Sequence, residues 1–318
     1  MPDKKFLKRG VRIIGIVLFV YILSKVNWPE FSDILREINI FYFILGILLI
    51  IPAVSIRALR WREIVNSLDA GISKKTSIII FAKGLFWGVI TPGKLGEFSR
   101  AKYLAEKSNI SLDKALFTVV FDKLIEFFAA VFLSIPAVLA LFYLFEVDVF
   151  LIMLILSLLV ISGIYFLIKR ESAQKVLKPL FQIFIFDSLK KKAEDFFHGF
   201  FEETKRLTRA LIVKLFCYEL VIYLLTLLVF FLMTLSLGIT VPLWYLGLMI
   251  PLVSIVAVLP VSVFGLGTRE AGLIFLFSLI NLSLNQAVAF SFLIMFWSIL
   301  SGVPGLILTF LPAKTLKV

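Results

Sequence analysis

The chain has 318 residues, of which 61% are apolar and only 17% charged, and a soluble domain of that length cannot hide so much apolar side chain. Lone Cys217 rules out an internal disulfide, and with His198 as the one imidazole no zinc or iron centre is expected, nor any cofactor. The formal net charge of +12 reads as loop orientation and attraction to anionic headgroups rather than as nucleic-acid binding.

A helical crossing takes about 20 apolar residues. The first candidate, 11–26, follows the basic run Lys4, Lys5, Lys8, Arg9 and Arg12. It ends at Ser24-Lys25-Val26-Asn27 without a small-x-small cleavage site, so it reads as an uncleaved anchor. Further spans are expected at 40–56, 116–145, 149–168, 211–237 and 286–311, which makes six full crossings. Two other apolar stretches contain breaks. One, at 76–105, is interrupted by Thr91-Pro92-Gly93; the other, at 243–282, is interrupted by Pro260 to Gly267.

Loop charge orders these segments. The N-terminus, the loop carrying Arg57, Arg60, Arg62, Lys74 and Lys75, and the loop carrying Lys94, Arg100, Lys102 and Lys107 are all basic, and all read as cytoplasmic. Two successive inside loops make the 76–105 segment a re-entrant hairpin. The 146–148 and 238–242 turns fall outside, and the tail with Lys314 and Lys317 falls inside, so the 243–282 hairpin enters from the opposite face. The loop at 169–210 has apolar residues recurring among lysines and reads as interfacial helix. The expectation is one all-α polytopic domain over 1–318, in the cell membrane with both termini cytoplasmic. Its six spans and two oppositely oriented broken hairpins are arranged like an inverted repeat.

The breaks resemble one another. Thr91-Pro92-Gly93-Lys94-Leu95-Gly96-Glu97 and Pro260 through Gly265, Gly267, Arg269 and Glu270 each pass a proline and paired glycines, then resume with a glutamate and an arginine. Proline withholds a donor and glycine accepts unusual dihedrals, so both stretches should be unwound. Unwound backbone at membrane depth lines a wet cavity or lies within protein, and paired Gly/Pro breaks in two halves point to a transport site. Helices restarting after Gly96 and Gly267 would aim free N–H groups at an anion such as phosphate.

Charges inside the spans carry the rest. Asp122, Lys123 and Glu126 sit in an apolar run; Asp122 and Glu126 share a face, and Lys123 can pair with Glu126. They read either as cavity lining or as snorkelling residues near the surface. Lys83 and Glu219 are lesser candidates. Glu97 and Arg100 share a face, whereas Arg269 and Glu270 point in different directions. Arg57, Arg60 and Arg62 around Trp61 read as a membrane-surface cluster that anchors the chain or recruits headgroups.

The motifs at 91–100 and 260–271, with Arg-Ala-Leu-Arg-Trp at 57–61 and Phe-Asp-Lys-Leu at 121–124, resemble the flippase-like membrane domain of lysylphosphatidylglycerol synthases, over about 10–311. In two-part members of that family, the resemblance implies, this domain moves aminoacylated phosphatidylglycerol between leaflets and a cytosolic C-terminal domain makes it. Other members are associated with polyprenyl-linked sugars. The present sequence runs out at Val318, just after the last span, so lipid synthesis is not expected of it. By resemblance, function is carried to Pro92, Gly93, Gly96, Glu97, Pro260, Gly265, Gly267, Arg269 and Glu270. The expected activity is translocation of a phosphate-bearing lipid, anionic or polyprenyl-phosphate, without enzymatic chemistry. Arg100 and Arg269 would hold the phosphate, Glu97, Glu270 and Asp122 would bind a cationic headgroup or a coupling proton, and Lys94, Lys123 and Glu126 are further substrate-binding candidates. A scaffold for a separate lipid-modifying transferase, or a catalyst of lipid glycosylation using the paired acids, are the other classes.

Overall fold

The computed structural model describes residues 15, 17–148, 152, 155, 157, 158, 162, 199, 200, 202–258 and 267–310. The regular elements among those residues are all helices, and four stretches are long and apolar enough to cross a membrane: Ile40–Asn66, Leu112–Phe145, Arg209–Ser236 and Leu284–Phe310. They match four of the expected spans. Most of 149–168 and the start of the 11–26 segment lie outside the described residues, as do most of the interfacial loop at 169–210, Pro260 and Gly265.

In chain order the helices are α1 (17–25), α2 (Trp28–Arg36), α3 (Ile40–Leu48), α4 (Ile50–Asn66), α5 (Lys74–Ile90), a 3-10 helix at Pro92–Phe98, α6 (Ser99–Lys107) and α7 (Leu112–Phe145). After the interfacial loop come α8 (Arg209–Ser236), α9 (Leu243–Val258), α10 (Thr268–Ser278), α11 (Leu284–Leu300) and α12 (Val303–Phe310). Starts are set by side-chain caps. Asn27, Asn39, Ser73, Ser111, Thr208 and Ser283 each accept from an amide in the first turn. At Ser283 the cap becomes reciprocal, because Gln286 bonds back to the Ser283 amide at 2.9 Å.

The two largest of four hydrophobic cores among the described residues divide the bundle. Trp61, Ile80, Phe81, Ala101, Leu104 and Val119 pack α4, α5, α6 and α7 around the first hairpin. Val131, Met233, Tyr245, Leu273, Phe277 and Phe290 pack α7, α8, α9, α10 and α11 around the second. Helix α7 serves both. Its 34 residues reach ~51 Å at 1.5 Å each, beyond the ~30 Å hydrocarbon layer. Val20, Ile51, Phe132, Leu144, Val213, Leu224 and Ile307 remain exposed, a girdle that only lipid can cover.

The chain ends cross over. Terminal helix α12 packs on α5, where a Cβ added to Gly305 would overlap the Ala82 carbonyl. At the opposite break, a Cβ on Gly267 would overlap the carbonyl oxygen of Gly15, so the first helix lies against the second hairpin. Each terminal helix therefore covers the hairpin remote from it in sequence.

Loops gather at two ends. At one, Arg206 meets Asp69 at 3.2 Å and Lys114 meets Glu203 at 3.3 Å. At the other, the Asn39 amide bonds Ser236 O at 2.8 Å and the Asn27 amide bonds the Asn285 side chain at 3.1 Å. The same loops fall together in the charge-based threading.

Three expectations change. The 40–56 span runs on as helix to Asn66, so Arg57 to Arg62 are helical rather than loop residues. The first break is not unwound but tightened into a 3-10 helix, whose first residue, Pro92, has no amide hydrogen to lose. The next α-helix restarts at Ser99, not directly after Gly96.

Candidate functional site

The first break folds straight back onto α5. Gly88 faces the Glu97 side chain and Gly84 faces Arg100, both so close that a Cβ would collide. Gly96 is held against the Trp87 carbonyl, and its amide donates to Thr91 Oγ1 at 2.6 Å. Thr91 in turn donates to Trp87 O at 2.7 Å. The small residues of the motif thus serve packing: they bring a charged turn flush against a helix.

That turn meets a network of ions inside the bundle. Asp122, with essentially no exposure, lies ten residues past the start of α7, or ~15 Å along the axis. Its Oδ1 accepts from Arg60 Nε at 3.0 Å and faces Nη2 at 2.9 Å, and its Oδ2 accepts from Arg100 Nη1 at 3.1 Å. Arg60 also pairs with Glu219 on α8 and lies 4.0 Å from Glu126. Arg100 lies 3.7 Å from Glu97 and stacks its guanidinium over Phe81, 4.5 Å from the ring centre, with Trp61 at 5.4 Å. Lys123 bridges Glu97 at 2.7 Å and Glu126 at 2.9 Å.

The network closes one side of a narrow cavity of about 40 Å³. Arg57, Arg60, Lys94, Glu97, Lys123 and Glu126 form its charged wall. Phe81, Leu85, Gly88, Val89 and Trp297 form an apolar wall, with Ser298 and Ser301 at its edge. Among the described residues, Arg57 and Lys94 take part in no ion pair. Lys94 also adopts φ 56, a left-handed conformation that costs a residue bearing a side chain about 1 kcal/mol or more.

The second motif is built separately. Arg269 and Glu270 are buried and do cancel each other, contrary to the expectation from adjacency: Nη2 to Oε1 is 2.6 Å and Nε to Oε1 is 3.1 Å. Ser291 on α11 completes the arrangement, donating to Glu270 at 2.7 Å. Gly267 has φ 82, and its amide donates to Glu270 Oε2 at 2.6 Å. The glutamate therefore occupies the helix N-terminus that was expected to receive an anion. The Gly96 amide is likewise taken, by Thr91. Among the described residues, no ion pair joins Arg269 or Glu270 to the Asp122 network, and the residues between Val258 and Gly267 lie outside the described set.

Placement of the remaining candidates follows from this. Lys94, Glu97, Lys123 and Glu126 line the cavity, whereas Arg100 and Asp122 stand behind it and brace it. Arg60 is no surface residue: it is 1% exposed and belongs to the network. Arg62 donates to Ile72 O at 2.8 Å and braces a loop instead. Glu219, a lesser candidate in the sequence, is a partner of Arg60. Lys83 sits over the Tyr103 ring, 5.3 Å from its centre. Sequence reading missed the contribution of the last span. Trp297, Ser298 and Ser301 were legible only as one indole and two hydroxyls three apart in an apolar run.

The chain belongs to the family described as lysylphosphatidylglycerol synthase TM region, whose model matches residues 10–305. The protein is a multi-pass helical membrane protein of that family, and what matches is the transmembrane region rather than a catalytic domain. A relative, a UPF0104 membrane protein of Methanothermobacter thermautotrophicus, is 22% identical over 172 residues, 52% of this chain. The match spans about half of that relative's length, 51%. No solved structure matches.

Proposed function

We propose that this chain is a lipid translocase that carries a phosphate-bearing headgroup between leaflets while the acyl chains stay in the bilayer. One observation carries the reading: a cavity inside the spanning bundle has an ionic wall, where Arg57 and Lys94 are in no ion pair among the described residues, and an apolar wall. An ion at the centre of a spanning helix costs at least ~2.5 kcal/mol on insertion scales, so ions within spanning helices are kept where they have a task. The apolar wall suits the glycerol and first methylenes of an amphiphile. Membership in the family of a lipid-headgroup synthase's transmembrane region supports a lipid role.

In this proposal the α5 hairpin is re-entrant from the cytoplasm and the α9–α10 hairpin from the outer face. The protein sits in the cell membrane with both termini cytoplasmic, and it does no bond-making chemistry of its own. Helix α5, which supplies Phe81, Leu85, Gly88 and Val89 to the apolar wall, packs against α4, the 3-10 helix, α6 and α12.

The test is reconstitution of the full chain into liposomes carrying fluorescent phospholipids in both leaflets, with dithionite reduction of the accessible pool. The expected outcome is loss of the protected half at a rate proportional to protein. Protection equal to that of empty liposomes across anionic, zwitterionic and cationic headgroups would sink the proposal.

A further inference from the structure

The cavity can be assigned a charge class. Four carboxylates, Glu97, Asp122, Glu126 and Glu219, are tied to three cations, Arg60, Arg100 and Lys123, so the bonded network carries one negative charge in excess. Arg57 and Lys94 line the same cavity, in no ion pair among the described residues, and turn that balance over. The group as a whole then holds one uncompensated positive charge, beside an apolar wall that strengthens its field.

We infer that the cavity selects a headgroup of net charge −1, an unmodified anionic phosphodiester lipid, and disfavours an aminoacylated one. Arg57 and Lys94 are its direct ligands; Arg60, Arg100 and Asp122 are positioning residues. The inference rests on the reading of this cavity as the headgroup site. A phosphodiester brings the set to neutrality. A lysyl ester of the same lipid, with two ammonium groups against one phosphate, adds a charge of the sign already in excess. The backbone is in keeping with the assignment of Lys94, whose left-handed φ of 56 is a strained conformation of the kind that clusters at ligand sites. Selection of this kind departs from the lysylated lipid named in the family description.

Competition binding tests it. The full chain, purified in detergent, is loaded with fluorescent phosphatidylglycerol and challenged with unlabelled phosphatidylglycerol, lysylphosphatidylglycerol, phosphatidylcholine or glycerophosphoglycerol. Phosphatidylglycerol should compete at least about tenfold better than either the lysylated or the zwitterionic lipid. Arg57→Gln should weaken it about tenfold. Lys94→Glu should reverse the preference toward the lysylated lipid, a gain that misfolding cannot imitate. Equal or tighter binding of lysylphosphatidylglycerol to the unaltered chain, or an unchanged preference in Lys94→Glu, overturns the inference. Competition by glycerophosphoglycerol as strong as that of the lipid overturns the lipid assignment, because a soluble phosphodiester would then be the guest. These readouts are static, so leaflet exchange can fail while the preference stands, and exchange can persist for every headgroup while the preference fails.

Discussion

Asp122 shows how much one carboxylate can organise. It is fully buried and holds Arg60 from one helix and Arg100 from another. An isolated charge in such a place would be untenable, and the triad persists because both carboxylate oxygens are satisfied. Asp122→Asn leaves two guanidinium groups sharing a neutral amide. Breaking a buried pair from one side costs about 3–5 kcal/mol, so the melting midpoint in detergent should fall steeply. Arg100→Gln together with Asp122→Asn should cost less than the two changes added, since residues in one network couple. Strict additivity would show that the contact does no structural work.

Among the elements, the two breaks share a sequence logic and differ in construction. The first is a 3-10 helix laid along α5, the charged turn reaching Gly84 and Gly88. The second ends in Gly267, whose positive φ and contact with the Gly15 carbonyl leave no place for a side chain. Gly267→Ala must both strain the backbone and push α1 away. It should destabilise by about 1–3 kcal/mol, read as a lowered midpoint, with α1 released to proteolysis. Gly238 also has positive φ but meets nothing within 4 Å, so Gly238→Ala carries the strain alone and should cost less. A midpoint for Gly267→Ala no lower than that for Gly238→Ala would refute the packing argument.

At the scale of the whole molecule, loop charge and loop contacts agree on which ends lie together, and sidedness can be measured. With Cys217 replaced by serine, Asp69→Cys and Pro242→Cys stand on opposite exposed ends. In intact cells an impermeant maleimide should label position 242 and spare position 69 until the membrane is opened. Labelling of both from one side would dismantle the threading. The same scale explains the crossed termini: α12 against the first hairpin and α1 against the second give each short broken helix a partner, which a bilayer alone could not supply.

The class of protein, four of the spans, the first break and the grouping of the loops were legible along the chain, because each depends on local quantities. These are the length of an apolar run, the charge of a loop, and the presence of proline and glycine. It also marked Lys94, Glu97, Lys123 and Glu126, since an ion within a hydrophobic run stands out wherever it lies. Only tertiary structure decided what those ions do. Arg60 looks like a surface residue beside Arg57 and Arg62 until α7 and α8 bring Asp122 and Glu219 to it from 62 residues away and farther. Arg100, Arg269 and the amides of Gly96 and Gly267 look available until their partners are seen. Whether a buried charge is free to bind or already spent on a neighbour depends on packing between distant segments, and no spacing along the chain encodes it.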